Sequence, residues 1–187
     1  MLLKVNRNMA DTPSRRKTRS SMPKRINRFT AFLSAAVFLI SCGRGVLYTD
    51  TTAMPAKTWE LTNTPVFSVP IKDTLSSNDI YFLVRTSSSY PYRNLFLFVT
   101  TTSPAGKSIT DTLQYFLSDE KGKRAGRGFG DIREVVLPFK SNIFFPVSGT
   151  YSFKIQHGMR IESLKGVYDF GIRIKKTGKE AKAGGKK

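Results

Sequence analysis

From residue 58 onward the chain alternates apolar and polar positions with a period of two. Residues 66–71 read Val-Phe-Ser-Val-Pro-Ile. Residues 150–156 put Tyr151, Phe153 and Ile155 on one face, and residues 168–174 do the same with Tyr168, Phe170, Ile172 and Ile174. Two further runs, 79–85 and 94–101, are strongly apolar and of strand length, and residues 110–117 and 132–137 complete the set. A strand is also expected around Trp59, and a first edge strand over residues 46–48. Pro70 offers no ladder donor and marks its strand as an edge or a strand end. Strands of this kind, spaced by about 8 to 15 residues, predict an all-β antiparallel β-sandwich, immunoglobulin-like or jelly-roll-like, in a single domain. The alternation means that each strand has one buried and one wet face. Nothing after residue 42 sustains a helical period, and only a short helical turn is expected over 159–164.

The N-terminal part follows different rules. Lys24, Arg25 and Arg28 form a basic head, residues 29–40 are an apolar run, and Ser41-Cys42 closes it. That order is a secretory signal. The apolar run is too short to span a bilayer, which needs about 20 residues. A buried helix with a core cysteine is the competing reading, and the basic head and terminal position weigh against it. Leu39-Ile40-Ser41-Cys42 resembles a bacterial lipobox, in which the cysteine takes a diacylglycerol and becomes the mature N-terminus. A thiol suits that step because it is the most nucleophilic side chain near neutral pH. Residues 1–21 are polar and basic without periodicity, so Met22 is the expected true start. The predicted organisation is a signal peptide over 1–41, a lipidated N-terminus and tether over 42–57, a sandwich domain over 58–175 and a disordered basic tail over 176–187.

Charge changes this picture little. The chain has 187 residues, with 31 Lys and Arg against 13 Asp and Glu. Nine of those bases and Asp11 leave with residues 1–41, so the net charge falls from +18 to +10, much of it in the tail. The excess has three readings: nucleic acid, anionic membrane headgroups, or a solvated surface and tail. No nucleic-acid recognition motif is present, so no nucleic-acid partner is expected. The solvated surface is the preferred reading. One cysteine and one histidine exclude a Cys/His zinc site and, once Cys42 is lipidated, a disulfide.

Candidate chemistry is sparse. His157 has no serine, cysteine or carboxylate at a triad-like spacing, and the aspartates are scattered without a metal-loop pattern. Residues 126–131, Gly-Arg-Gly-Phe-Gly-Asp, lack the Lys-Ser/Thr ending of a phosphate loop. They read as a tight β connection with glycines at positive φ, and Asp131 as an Asx-type turn. No cofactor or metal is expected. One stretch stands out as a candidate partner contact: Tyr90, Pro91, Tyr92 and Arg93. An exposed loop tip and a buried plug are equally good readings of it.

In order, the chain shows the lipobox, Trp59, Tyr81 and Arg85, and Tyr90-Pro91-Tyr92-Arg93-Asn94-Leu95. Asp111-Thr112, Gly128-Phe129-Gly130-Asp131 and Gly149-Thr150-Tyr151 follow, and the set closes with Met159-Arg160 and Asp169-Phe170-Gly171-Ile172-Arg173. This ordered set resembles the GldH family of gliding-motility lipoproteins. It departs at Lys123-Arg124-Ala125, where an aromatic is expected. The resemblance implies a lipid-anchored, non-catalytic accessory or structural factor of the gliding and adhesin-export (type IX secretion) machinery, partnered by other envelope proteins of that system. Two other classes compete: a carbohydrate- or lipid-binding sandwich, which needs an exposed aromatic platform, and an envelope hydrolase, which needs two carboxylates about 5 to 9.5 Å apart. Gly43-Arg44-Gly45-Val46 has no aspartate after the cysteine and the first acid is Asp50, so the expected location is the periplasmic face of the outer membrane.

Overall fold

The computed structural model describes residues 45–180. The signal segment, Cys42 and residues 181–187 lie outside the described residues. Among the described residues ten strands form: β1 (Val46–Ala53), β2 (Thr58–Glu60), β3 (Val66–Ile71), β4 (Ser76–Thr86), β5 (Asn94–Thr102), β6 (Ser108–Phe116), β7 (Arg133–Ile143), β8 (Gly149–His157), β9 (Ser163–Lys165) and β10 (Val167–Glu180). One four-stranded sheet has the order β1-β10-β4-β7, the other β3-β8-β5-β6, and β2 pairs with β9. Every pairing is antiparallel.

The pairs β1·β10, β2·β9, β3·β8, β4·β7 and β5·β6 are nested, so the chain is one long hairpin turning between β5 and β6. Rolling it up brings β10 beside β4 and β8 beside β5, which completes both sheets. That is jelly-roll topology, so of the two sandwiches expected the jelly roll is the one built.

The period-two pattern explains the core. Phe82, Val84, Phe170, Ile172 and Ile174 point inward from one sheet, and Phe67, Val69, Leu95, Leu97, Phe153 and Ile155 from the other. Trp59 on β2 is fully buried and closes one end. It meets Phe170 of one sheet at 5.0 Å and His157 of the other at 5.5 Å, and its indole N–H donates to the Asn63 carbonyl at 2.7 Å. The open side between β6 and β7 is bridged by side chains: the Tyr115 hydroxyl donates to Pro138 O at 2.8 Å, and Lys140 meets Asp111 at 2.9 Å.

The registers define two poles. Gly45 and Val46, the loops 72–75, 103–107 and 144–148, and the end of β10 lie at the near pole. The loops 87–93, 117–132 and 158–162 lie at the far pole.

Several boundaries differ from expectation. Among the described residues of the 42–57 tether, eight are strand, because β1 pairs with β10 from Val46 to Ala53, beyond the 46–48 edge expected. The 176–187 tail is not wholly tail: β10 continues to Glu180, with Lys176 opposite Asn78 and Glu180 opposite Ser76. Lys176 is exposed, and what holds it is ladder pairing to β4 together with its ammonium on Asp73 at 2.6 Å and the neighbouring Thr177 hydroxyl on Ser77. The expected helical turn over 159–164 is a bend followed by β9, whose pairing with β2 overrides a weak local preference.

Candidate functional site

The Tyr90–Arg93 stretch is both plug and tip, divided between neighbouring residues. Tyr90 turns inward. Its hydroxyl donates to Asn94 O at 2.7 Å, it packs against the core, and burial pushes its pKa up. The turn is fixed from outside: Ser87 N donates to Gly166 O at 2.9 Å, and Ser88 N to the Asp131 carboxylate at 2.8 Å. Gly166 has φ +81°, and a Cβ there would collide with the Tyr90 backbone. Asp131 therefore ties two loops together rather than making the local Asx turn expected, and its bonds from Ser88 hold its pKa below the usual range.

Pro91, Tyr92 and Arg93 face outward. Tyr92 sits edge-on to Tyr90 at 6.1 Å, and the Arg93 guanidinium lies over the Phe116 ring at 5.0 Å. Tyr92 also forms one wall of a groove of about 480 Å³ on the outer face of the β3-β8-β5-β6 sheet. Phe96 and Phe98 make its floor, Asn94 lies beside Tyr92, and Met159 and Ile161 make the opposite wall. Phe98 is 42 % exposed and Tyr92 37 %.

Gly158 keeps the floor open. Its N–H continues the β8 ladder to Phe96 O at 2.7 Å, so a side chain there would stand over the two rings. A Cβ at Gly158 would lie 3.0 Å from the Phe98 ring and 3.2 Å from Phe96 Cβ. Size and make-up suit a binding site, since such clefts run from about 300 to 1,000 Å³ with apolar floors and few polar groups.

Sequence reasoning missed Phe96, Phe98 and Gly158. The run 94–101 is so apolar that neither face stands out. A signal exists all the same: Asn94 and Thr100 share the phase of the two phenylalanines, while Leu95, Leu97 and Val99 hold the other.

At the same pole, the β6–β7 connection exposes Phe129 at 97 % on a loop carrying Lys123, Arg124 and Arg127, with Arg133 beside it at the start of β7. Gly126 and Gly130 have positive φ as expected. Gly128 does not, and serves instead because a Cβ would collide with Ile132 O.

Catalytic arrangements are not evident in what is described. His157 is fully buried, burial lowers its pKa, and its ring lies near the backbone of Trp59 and Glu162 without ordinary hydrogen-bond geometry. The far-pole groove is lined by no carboxylate, and a cleft of about 270 Å³ between the sheets is lined by one, Asp111, held by Lys140. Among the described residues no three His, Cys, Asp or Glu side chains cluster as a metal site.

A family model described as GldH lipoprotein matches residues 46–174, from the first residue of β1 into β10. The chain belongs to the GldH lipoprotein family. Two curated GldH proteins are similar to it along nearly their whole length. The gliding motility lipoprotein GldH homolog of Christiangramia forsetii is 32% identical over 153 residues, 78% of this chain and 93% of that protein. The gliding motility lipoprotein GldH of Flavobacterium johnsoniae is 30% identical over 157 residues, 80% of this chain and 97% of that protein. A GldH lipoprotein is a membrane-associated envelope protein, and every strand of the jelly roll begins inside the matched span.

Proposed function

We propose that this GldH protein is a lipid-anchored, non-catalytic binding component of the gliding and adhesin-export (type IX secretion) machinery. Cys42 carries the lipid, the protein sits on the periplasmic face of the outer membrane, and the Tyr92 groove takes another envelope protein of that system. One observation carries the reading. The strand registers put the groove at the pole opposite the one where Gly45 enters the domain. Cys42 is three residues from Gly45, a reach of about 10 Å at full extension. An anchor there aims Tyr92, Arg93 and the Phe129 loop away from the membrane.

The test uses groove variants at native expression. Gly158→Val fills the floor without changing charge, and Tyr92→Ala removes a wall. The expected result is loss of gliding and of adhesin export with protein level and lipidation unchanged. A photo-crosslinker at position 92 captures the partner. Normal gliding in both variants refutes the groove. Cys42→Ser separately tests the anchor: the protein is expected to leave the outer-membrane fraction, and retention there with normal function refutes lipidation.

A saccharide is the second reading of the groove. Phe98 is exposed and Phe96 half-buried beside Asn94 and Arg160, which is an aromatic surface with polar neighbours. Binding of neutral oligosaccharides that Gly158→Val abolishes favours it over a protein partner.

A further inference from the structure

Exposed apolar side chains are normal singly and informative when they gather. Among the described residues, Val46, Leu75, Ile109, Phe144 and Val147 are exposed and all lie at the near pole, on loops or strand ends. Leu75 and Ile109 are each 70 % exposed. They sit on the β3–β4 loop and at the start of β6, and Phe144 and Val147 are on the β7–β8 loop. The apolar cleft between the sheets lies at this end too, with Ile109 and Phe144 among its lining.

The charges at this pole have one sign left over. Asp73 is taken by Lys176 and Asp111 by Lys140. Asp79 lies opposite Lys175 across β4 and β10, and Lys72 and Lys107 are exposed in addition. Both ends of the described chain meet here: Lys176 N donates to Gly45 O at 2.8 Å, and Glu180 pairs with Ser76.

We infer that the near pole is a membrane-contact face. Leu75, Val147, Phe144 and Ile109 enter the interface of the bilayer that holds the anchor, and the lysines around them meet anionic headgroups. This rests on the lipid-anchored reading above and adds an orientation to it. Apolar area ringed by basic charge is the make-up of an interfacial contact, and it orients a domain that a lipid on a short tether would otherwise leave free to tumble. The occupant is a bilayer because these apolar tips lie at the pole nearest Cys42 in the chain, and because the charge left over around them is positive.

The experiment places an environment-sensitive fluorophore on a single introduced cysteine in the full lipidated protein. Lipidated Cys42 is a thioether and does not react with the label. Leu75→Cys and Val147→Cys report on the near pole, Phe129→Cys and Tyr92→Cys on the far pole. Vesicles are phosphatidylcholine with phosphatidylglycerol, with and without brominated acyl chains. The expected result is a blue shift and bromine quenching at positions 75 and 147 and neither at 92 and 129. Lys72→Gln with Lys107→Gln is expected to weaken vesicle binding of a Cys42→Ser chain by about tenfold or more on anionic vesicles. Water-exposed probes at 75 and 147, or equal quenching at both poles, overturns the inference. The mass of the mature protein reports lipidation separately. If Cys42 proves unmodified, the anchor reading falls, and the same probes in a Cys42→Ser background still decide whether this pole meets lipid.

Discussion

Arg85 and Asp169 face each other across β4 and β10 on the solvent side of their sheet, with Arg85 Nε 2.7 Å from the carboxylate. Asp169 is buried and Arg85 half exposed. Arg85→Ala leaves a buried carboxylate unpaired. The loss is about 1–2 kcal/mol, below the figure for a fully buried pair because the guanidinium is already partly screened by water. Thermal unfolding should show a drop of about 3–5 °C per kcal/mol. Alternation placed Asp169 outward correctly, but its burial comes from β4, which no local pattern reports. His157 gives a second prediction. Its folded pKa lies below the ordinary value of 6.5, so the folded state resists the proton that the unfolded state accepts. Its stability contribution is complete above about 6.5 and is lost as pH falls through that value toward the folded pKa. Melting temperature should therefore decline between about pH 7 and pH 5, and His157→Leu should flatten that slope. Asp73 and Asp131 have depressed values, so their contributions disappear only in a separate, more acid window.

Strand ends are where the sequence was least informative. Alternation stops at Ile174, yet β10 runs on through polar residues whose partners sit on the β3–β4 loop and β4. A chain ending at Lys175 loses the Lys176–Gly45 bond, the Asp73 ion pair and the pairing with Asn78. A chain ending at Glu180 keeps them. The shorter chain is expected to melt several degrees below the longer one, and equal melting temperatures would show that the extension contributes nothing. β7 escaped in the same way. Pro138 and the register shifts near Ile80 interrupt its pattern, although the strand continues to Ile143. Two short elements, β2 and β9, were legible only through Trp59, because three-residue strands are set by tertiary pairing.

Over the whole molecule, fold class and most strands could be read because period two writes burial directly into the residues. The nested pairing could not, since no residue states which distant strand lies beside it. Nor could the groove, which needs β5, the Tyr92 loop and the Gly158 bend together. That arrangement has a mechanical consequence. β1 enters at one pole, runs toward the other, and shares seven register pairs with β10. A pull on Gly45 against a load held at Tyr92 runs along the strand axis. Antiparallel hydrogen bonds lie perpendicular to that axis, so the pairs share the force in shear rather than breaking one at a time. A pull between Gly45 and Lys176 crosses the strands and peels them apart from one end. Single-molecule stretching should need a markedly larger force along the first direction, and equal forces would count against shear loading. A domain tethered at one end and gripped at the other is thus hardest to open along the line on which it would be tugged.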